Sequence, residues 1–173
     1  MKRPKLILKL DCKYFIGEKP CKKRKLCAGC NEYSPMGKRI LIIKLGAIGD
    51  VLRTTPILYA LNDTFPKSHI SWLTEETSIE VLKENQLIDK IMPMNLESSL
   101  RLKAERFDLL ICLDKAPGAT ALAMLIQATE KRGYGLSPEG NAFPLNSEAE
   151  YSFQLGISDD LKFKKNTKSY QEI

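Results

Sequence analysis

The chain has 173 residues, 43% hydrophobic and 28% charged, which suits one well-buried soluble domain plus a small appendage. No run approaches the ~20 apolar residues of a membrane span, and the basic opening Met1–Lys5 is followed by an apolar stretch that Lys9 and Asp11 interrupt too early for a signal peptide. The composition reads as cytoplasmic. The net charge of +6 is uneven: residues 1–44 carry thirteen of the 27 Lys and Arg and only three acids, Asp11, Glu18 and Glu32. Such an arm is a solvated surface or draws phosphate-rich partners, such as an anionic membrane face or glycolipid. Nucleic acid is not expected, because no nucleic-acid-binding motif accompanies the charge.

In chain order, residues 1–37 form a Cys-rich arm without sustained periodicity. Its Cys12, Cys21, Cys27 and Cys30 lie within 19 residues, as Cys-x8-Cys-x5-Cys-x2-Cys. Cys27-Ala28-Gly29-Cys30 is a two-ligand knuckle, and four soft ligands suit tetrahedral zinc better than an iron–sulfur cluster. Free thiols on the arm, or two disulfides, are the competing readings. The disulfides fit poorly with a cytoplasmic chain.

From Lys38 the text alternates short apolar runs with helical segments, the pattern of a parallel α/β sheet. Arg39–Lys44 reads as a first strand buried on both faces. A helix through Val51–Leu61 follows, ended by Pro66. His69–Leu73 and Ile88–Met92 read as strands, with a short helix at Ile79–Glu84 between them. Leu96–Arg106 reads as helix and Phe107–Leu113 as a strong buried strand. Pro117 opens a helix that includes Ala119–Thr129, and Arg132–Tyr134 reads as a short fifth strand. Beyond Gly135 the signal weakens, and the tail from Asn166 opens like a helix with a Thr or Ser cap. These elements predict a Rossmann-like doubly wound sheet. His69, Trp72 and Cys112 read as structural residues of that sheet.

The informative loop is Lys44-Leu45-Gly46-Ala47-Ile48-Gly49-Asp50, just past the first strand, where open α/β sheets place their ligands. Gly46 and Gly49 allow a tight turn and close approach of a substrate. The spacing is neither a dinucleotide fingerprint nor a Walker loop. Asp50 reads either as a helix N-cap or as a free carboxylate at the cleft mouth. Thr55-Pro56 offers a second helix start that would release Asp50 from capping.

The run Ile40–Pro56, with Gly46-x-x-Gly49-Asp50 and the Thr-x-Pro of Thr54-Thr55-Pro56, closely resembles the opening of family 9 glycosyltransferases. Ala60-Leu61, Phe65-Pro66, Ile70–Thr74, Leu87–Ile91, Phe107–Asp114 and Arg132–Gly135 continue the resemblance over roughly residues 38–136. That family contains the lipopolysaccharide heptosyltransferases. The resemblance implies the amino-terminal half of a GT-B fold: an acceptor-side domain over residues 38–160, and in 161–173 the start of a linker toward a donor-binding domain. It implies that Asp50 is the general base of an inverting transfer of heptose, or a related sugar, onto a lipopolysaccharide-type acceptor. The co-substrate would be an ADP-heptose-like nucleotide-sugar, without a catalytic metal. Gly46, Gly49, Lys44, Arg53 and Thr54 would line the substrate site. Lys44 and Arg53 are equally readable as solvated surface charges. The chain alone is expected to be inactive, and peripheral association with the cytoplasmic face of the inner membrane is expected. A Cys-rich preamble like residues 11–21 also resembles one preceding the catalytic domain in some family members. In those the Cys21–Cys27 interval is longer and carries a histidine, which this chain lacks. The alternative function is a non-catalytic, metal-stabilised binding domain that docks on a glycolipid or a partner protein.

Overall fold

The computed structural model describes residues 6–173, so the basic opening at 1–5 lies outside the described residues. The chain forms two compact units, residues 1–37 and 38–173.

The larger unit is built on a six-stranded sheet in the order β3-β2-β1-β4-β5-β6. Strands β1 (Arg39–Ile43), β2 (His69–Thr74), β3 (Lys90–Pro93), β4 (Arg106–Cys112) and β5 (Gln127–Leu136) run parallel, and β6 (Ala142–Pro144) is antiparallel on β5. Strand β1 is central because four of its five side chains, Ile40 to Ile43, are apolar. Ile40 and Ile42 face one side and Leu41 and Ile43 the other, all fully buried. Each such aliphatic stabilises the fold by roughly 1.5–3 kcal/mol.

The helices divide between the two faces. Helices α1 (Ile48–Thr54), α2 (Ile57–Thr64) and α3 (Ile79–Leu82) lay Val51, Leu58, Leu61 and Leu82 against Ile40, Ile42, Trp72 and Ile111. Helices α4 (Leu96–Ala104) and α5 (Pro117–Leu125) place Leu102, Ala119, Leu122 and Ala123 on Leu41, Ile43, Leu110 and Phe107. The first three helices connect β1, β2 and β3, so on their face they cover β4 only in part. A groove of about 690 Å³ lies there, floored by Leu109, Ile111 and Leu113 and walled by α2, with Tyr170 and Ile173 also lining it. Helix α6 (Glu150–Ile157) follows β6, and Lys115 ties back to it by donating Nζ to the Ser152 carbonyl at 3.0 Å.

Three expectations are corrected. The helix read through Val51–Leu61 is two helices, because Pro56 has no N–H for an intrahelical bond. The helix read as including Ala119–Thr129 stops at Leu125, with Ile126 in extended backbone. Residues from Gln127 onward instead pair with β4, Arg106 opposite Gln127 through Cys112 opposite Gly133, so the fifth strand is longer than Arg132–Tyr134. Local propensity favours a helix there, but the exposed edge of β4 wins the segment. The tail forms only a 3-10 turn, Tyr170–Glu172, capped reciprocally by Ser169 and Glu172.

Gly133 makes the bend where β5 leaves β4 and turns to β6. Its φ is +89°, and a Cβ there would sit 1.9 Å from the Cys112 carbonyl oxygen. Gly133→Ala is therefore expected to cost more than the ~1–3 kcal/mol of a left-handed non-glycine residue alone. Denaturant unfolding checks it, and a loss under about 1 kcal/mol would mean that the bend relaxes freely.

Candidate active site

The carboxyl ends of β1, β2 and β4 meet around the Leu45–Gly49 loop. Lys44, the residue after β1, is buried rather than a surface charge. Its Nζ donates to the Gly46 carbonyl at 2.6 Å and to Asp114 Oδ2 at 3.2 Å. Asp114, just past β4, also accepts the Leu45 amide at 3.1 Å and the Ala116 amide at 3.0 Å. Burial works against the Asp114 charge. The Ala116 amide, the Lys44 ammonium and the Leu45 amide outweigh it and hold the carboxyl below its ordinary range. From β2, Trp72 Nε1 donates to the Lys44 carbonyl and Thr74 Oγ1 to the Leu45 carbonyl. Every polar backbone group at the base of the loop thus has a partner, which sets its course before any ligand arrives.

The loop feeds α1, whose N-cap is Ala47, without a side-chain cap bond. Asp50 is the third helical residue, so the N-cap reading does not hold. Its side chain is 39% exposed and ion-pairs with Arg53 one turn on. Its main chain is bonded in the ordinary way, the amide donating to the Ala47 carbonyl at 2.8 Å. The structure therefore leaves a half-exposed carboxylate at the first turn of a helix. Arg53 lies over the Tyr170 ring, 4.5 Å from its centroid, so its guanidinium bridges the carboxylate and an aromatic face. Thr54 is buried, donating Oγ1 to the Asp50 carbonyl at 2.7 Å, with the Tyr170 hydroxyl 3.2 Å away. Gly49 is open: a Cβ there would meet nothing within 4 Å. At Gly46 a Cβ would meet the Glu75 carboxylate at 3.3 Å.

The structure brings Asp50, Arg53 and Thr54 together along α1 and ties Lys44 to the loop between α1 and β1. Asp114 and Glu75 are site residues that the sequence pattern does not mark. Each follows a buried strand directly, and only the pairing of β1 with β4 and β2 shows that both reach the Gly46 loop. Among the described residues no group of three His, Cys, Asp or Glu is gathered to hold a metal ion. None of the described helices is long and apolar enough to cross a membrane.

No family model matches the chain. Among curated proteins, the lipopolysaccharide core heptosyltransferase OpsX of Haemophilus influenzae is 24% identical over 132 residues, 70% of this chain and 38% of that protein. Lipopolysaccharide heptosyltransferase 1 of Salmonella typhimurium is 30% identical over 74 residues, 39% of this chain and 23% of that one. A solved family 9 glycosyltransferase from Veillonella parvula superposes on 56% of this chain and 31% of its own, at 29% identity and TM-score 0.51. Over part of its length the chain is thus similar to lipopolysaccharide heptosyltransferases and to a family 9 glycosyltransferase.

The matched stretch spans little more than a third of the longest-matched curated relative. The sheet of residues 38–173 has the mostly parallel layout of the GT-B neighbours. The Gly46–Asp50 segment is the turn from β1 into α1 at the carboxyl edge of this sheet.

Proposed function

We propose that residues 38–173 are the acceptor-side unit of an inverting glycosyltransferase that moves heptose, or a related sugar, from an ADP-heptose-like donor to a lipopolysaccharide-type acceptor. The observation that carries this reading is Asp50: a half-exposed carboxylate on a fixed loop, at the carboxyl edge of the sheet, bound to no cap. A single base suffices for one displacement. Asp50 takes the proton of an acceptor hydroxyl, whose oxygen forms a bond to the anomeric carbon. The bond from that carbon to the donor phosphate breaks, and its electron pair leaves with the nucleoside diphosphate, inverting the centre. The Arg53 guanidinium pairs with Asp50 and lies within reach of an anionic acceptor group, since such groups suit its planar fork. Gly49 supplies the open approach. Lys44 acts from below, by holding the Gly46 carbonyl.

The described sheet is one Rossmann-like unit, and the proposed transfer needs a second that holds the donor. The activity is thus expected from this unit joined to a donor-binding unit rather than from residues 1–173 by themselves. Lipopolysaccharide synthesis places the work at the cytoplasmic face of the inner membrane, which agrees with the basic arm.

Acceptor binding does not need the donor half and gives the direct test. Titrating isotopically labelled chain with a phosphorylated lipopolysaccharide-core oligosaccharide should shift the amides of residues 46–54, while dextran should not. Shifts elsewhere only, or none at millimolar oligosaccharide, would remove the acceptor-side assignment.

A further inference from the structure

Residues 1–37 form a compact unit with almost nothing apolar inside it. Among the described residues of this stretch the one buried hydrophobic side chain is Cys12, while Leu6, Ile7, Leu8, Leu10 and Leu26 are exposed. Among its described residues there is no helix and no strand, only a single antiparallel bridge between Cys12 and Pro35. Chains below ~40 residues seldom bury enough surface to hold a fold and are usually stapled by a metal or by disulfides. The staple has to come from something other than packing.

Four thiols supply it. Cys12, Cys21, Cys27 and Cys30 all line one cavity of about 20 Å³. That is room for a single water-sized species, and too little for a four-iron cluster. Two tight turns flank it. After Cys21, the Arg24 amide donates to the Cys21 carbonyl at 2.7 Å, Arg24 adopts φ +53°, and the Lys25 amide reaches Cys21 Sγ at 3.5 Å. After Cys27, the Cys30 amide reaches the Cys27 carbonyl at 3.3 Å, with Gly29 at φ +67°. An arginine held in the left-handed region is costly, and here it turns the chain so that an amide meets a sulfur. Lys9, Lys23 and Lys25 border the cavity against one acid, Glu32, a charge balance suited to an anionic centre.

We propose that residues 1–37 fold around one zinc ion held by the Sγ atoms of Cys12, Cys21, Cys27 and Cys30. Four thiols lose their protons to solvent and bind as thiolates, giving a centre of net charge −2 that the bordering lysines offset. All four positions are taken by protein, so the ion is structural and does no chemistry on substrate. No three of these side chains are yet gathered at ligand distance. Metal binding therefore draws the Cys21–Lys25 and Cys27–Cys30 turns inward, and the unit tightens when zinc enters.

The test uses the full chain, purified under reductant without a metal-binding tag. Elemental analysis should find one zinc per chain. Cobalt exchange should produce the thiolate charge-transfer band and strong visible absorption of a tetrahedral sulfur site. A chelator should expose four additional reactive thiols, Cys112 staying buried in its strand. Cys27→Ser with Cys30→Ser should lose the zinc while the 38–173 unit keeps its unfolding transition. Less than ~0.2 equivalents of zinc after incubation with excess zinc would overturn the proposal. So would a mass four hydrogens light, which means two disulfides, or iron accompanied by acid-labile sulfide.

Discussion

Asp114→Ala is expected to destabilise the 38–173 unit by about 3–5 kcal/mol, because it leaves the Lys44 ammonium buried with no counter-charge. The Lys44 and Asp114 side chains are only 9% and 13% exposed, so water cannot replace the lost partner. The same change strips the Leu45 and Ala116 amides of their acceptor, and the Gly46 loop loses two of its anchors. Asp114→Asn tests the charge separately: it keeps an acceptor for one amide but not the neutralisation of Lys44, and should recover only part of the loss. Replacing both partners, Lys44→Met with Asp114→Leu, should cost much less than either single change, as removing a whole buried pair usually does. Acid should act on the same pair. Asp114 is held below the ordinary carboxylate range, so its contribution is complete above the unfolded carboxylate range and disappears as pH falls through the folded value. The Asp114→Asn variant should therefore show a flatter acid limb in urea midpoints taken from pH 5 downward. A change below about 1 kcal/mol for Asp114→Ala would mean that the loop is organised by something else.

The second large effect concerns catalysis. In a protein joining this unit to the donor-binding half of a heptosyltransferase, Asp50→Asn should lower kcat by about 10²–10⁴-fold, the usual worth of a general base. The substitution preserves shape, and Asp50 makes no capping bond, so the unfolding midpoint should hardly move. KM for the acceptor should stay within a few-fold. Arg53→Gln is expected to behave differently. It removes the positive partner of Asp50 and the stacking on Tyr170, raising acceptor KM more than it lowers kcat. If Asp50→Asn turns over at near-native rate, the carboxylate is only an ion-pair partner of Arg53. Glu75, whose carboxylate lies beside Gly46, then becomes the residue to replace.

Much of this arrangement was legible in the residues. The unbroken apolar run Ile40–Ile43 can only be a strand covered on both faces, and the same holds for Leu109–Cys112. The Gly46-x-x-Gly49-Asp50 order marked the loop but left Asp50 open between an N-cap and a free carboxylate, and the structure decided it by starting α1 at Ile48. These are local signals, carried by side-chain periodicity and by the backbone limits of glycine and proline. The family resemblance rests on the same short stretches.

Other features depended on which distant strands became neighbours. Lys44 reads in sequence like any charge beside a loop. It is buried because β4 pairs with β1 and brings Asp114, seventy residues away, within 3.2 Å. Residues Gln127–Thr129 read locally as the end of a helix and become strand because β4 presents an open edge. The groove over Leu109 and Ile111 exists because the first three helices connect β1 to β3 and cover β4 only in part, a property of connection order that no window of residues contains. Amino-acid type decided each element and the loop that carries Asp50. The sheet order decided which charges are buried, because electrostatic partners are set by proximity in space rather than along the chain.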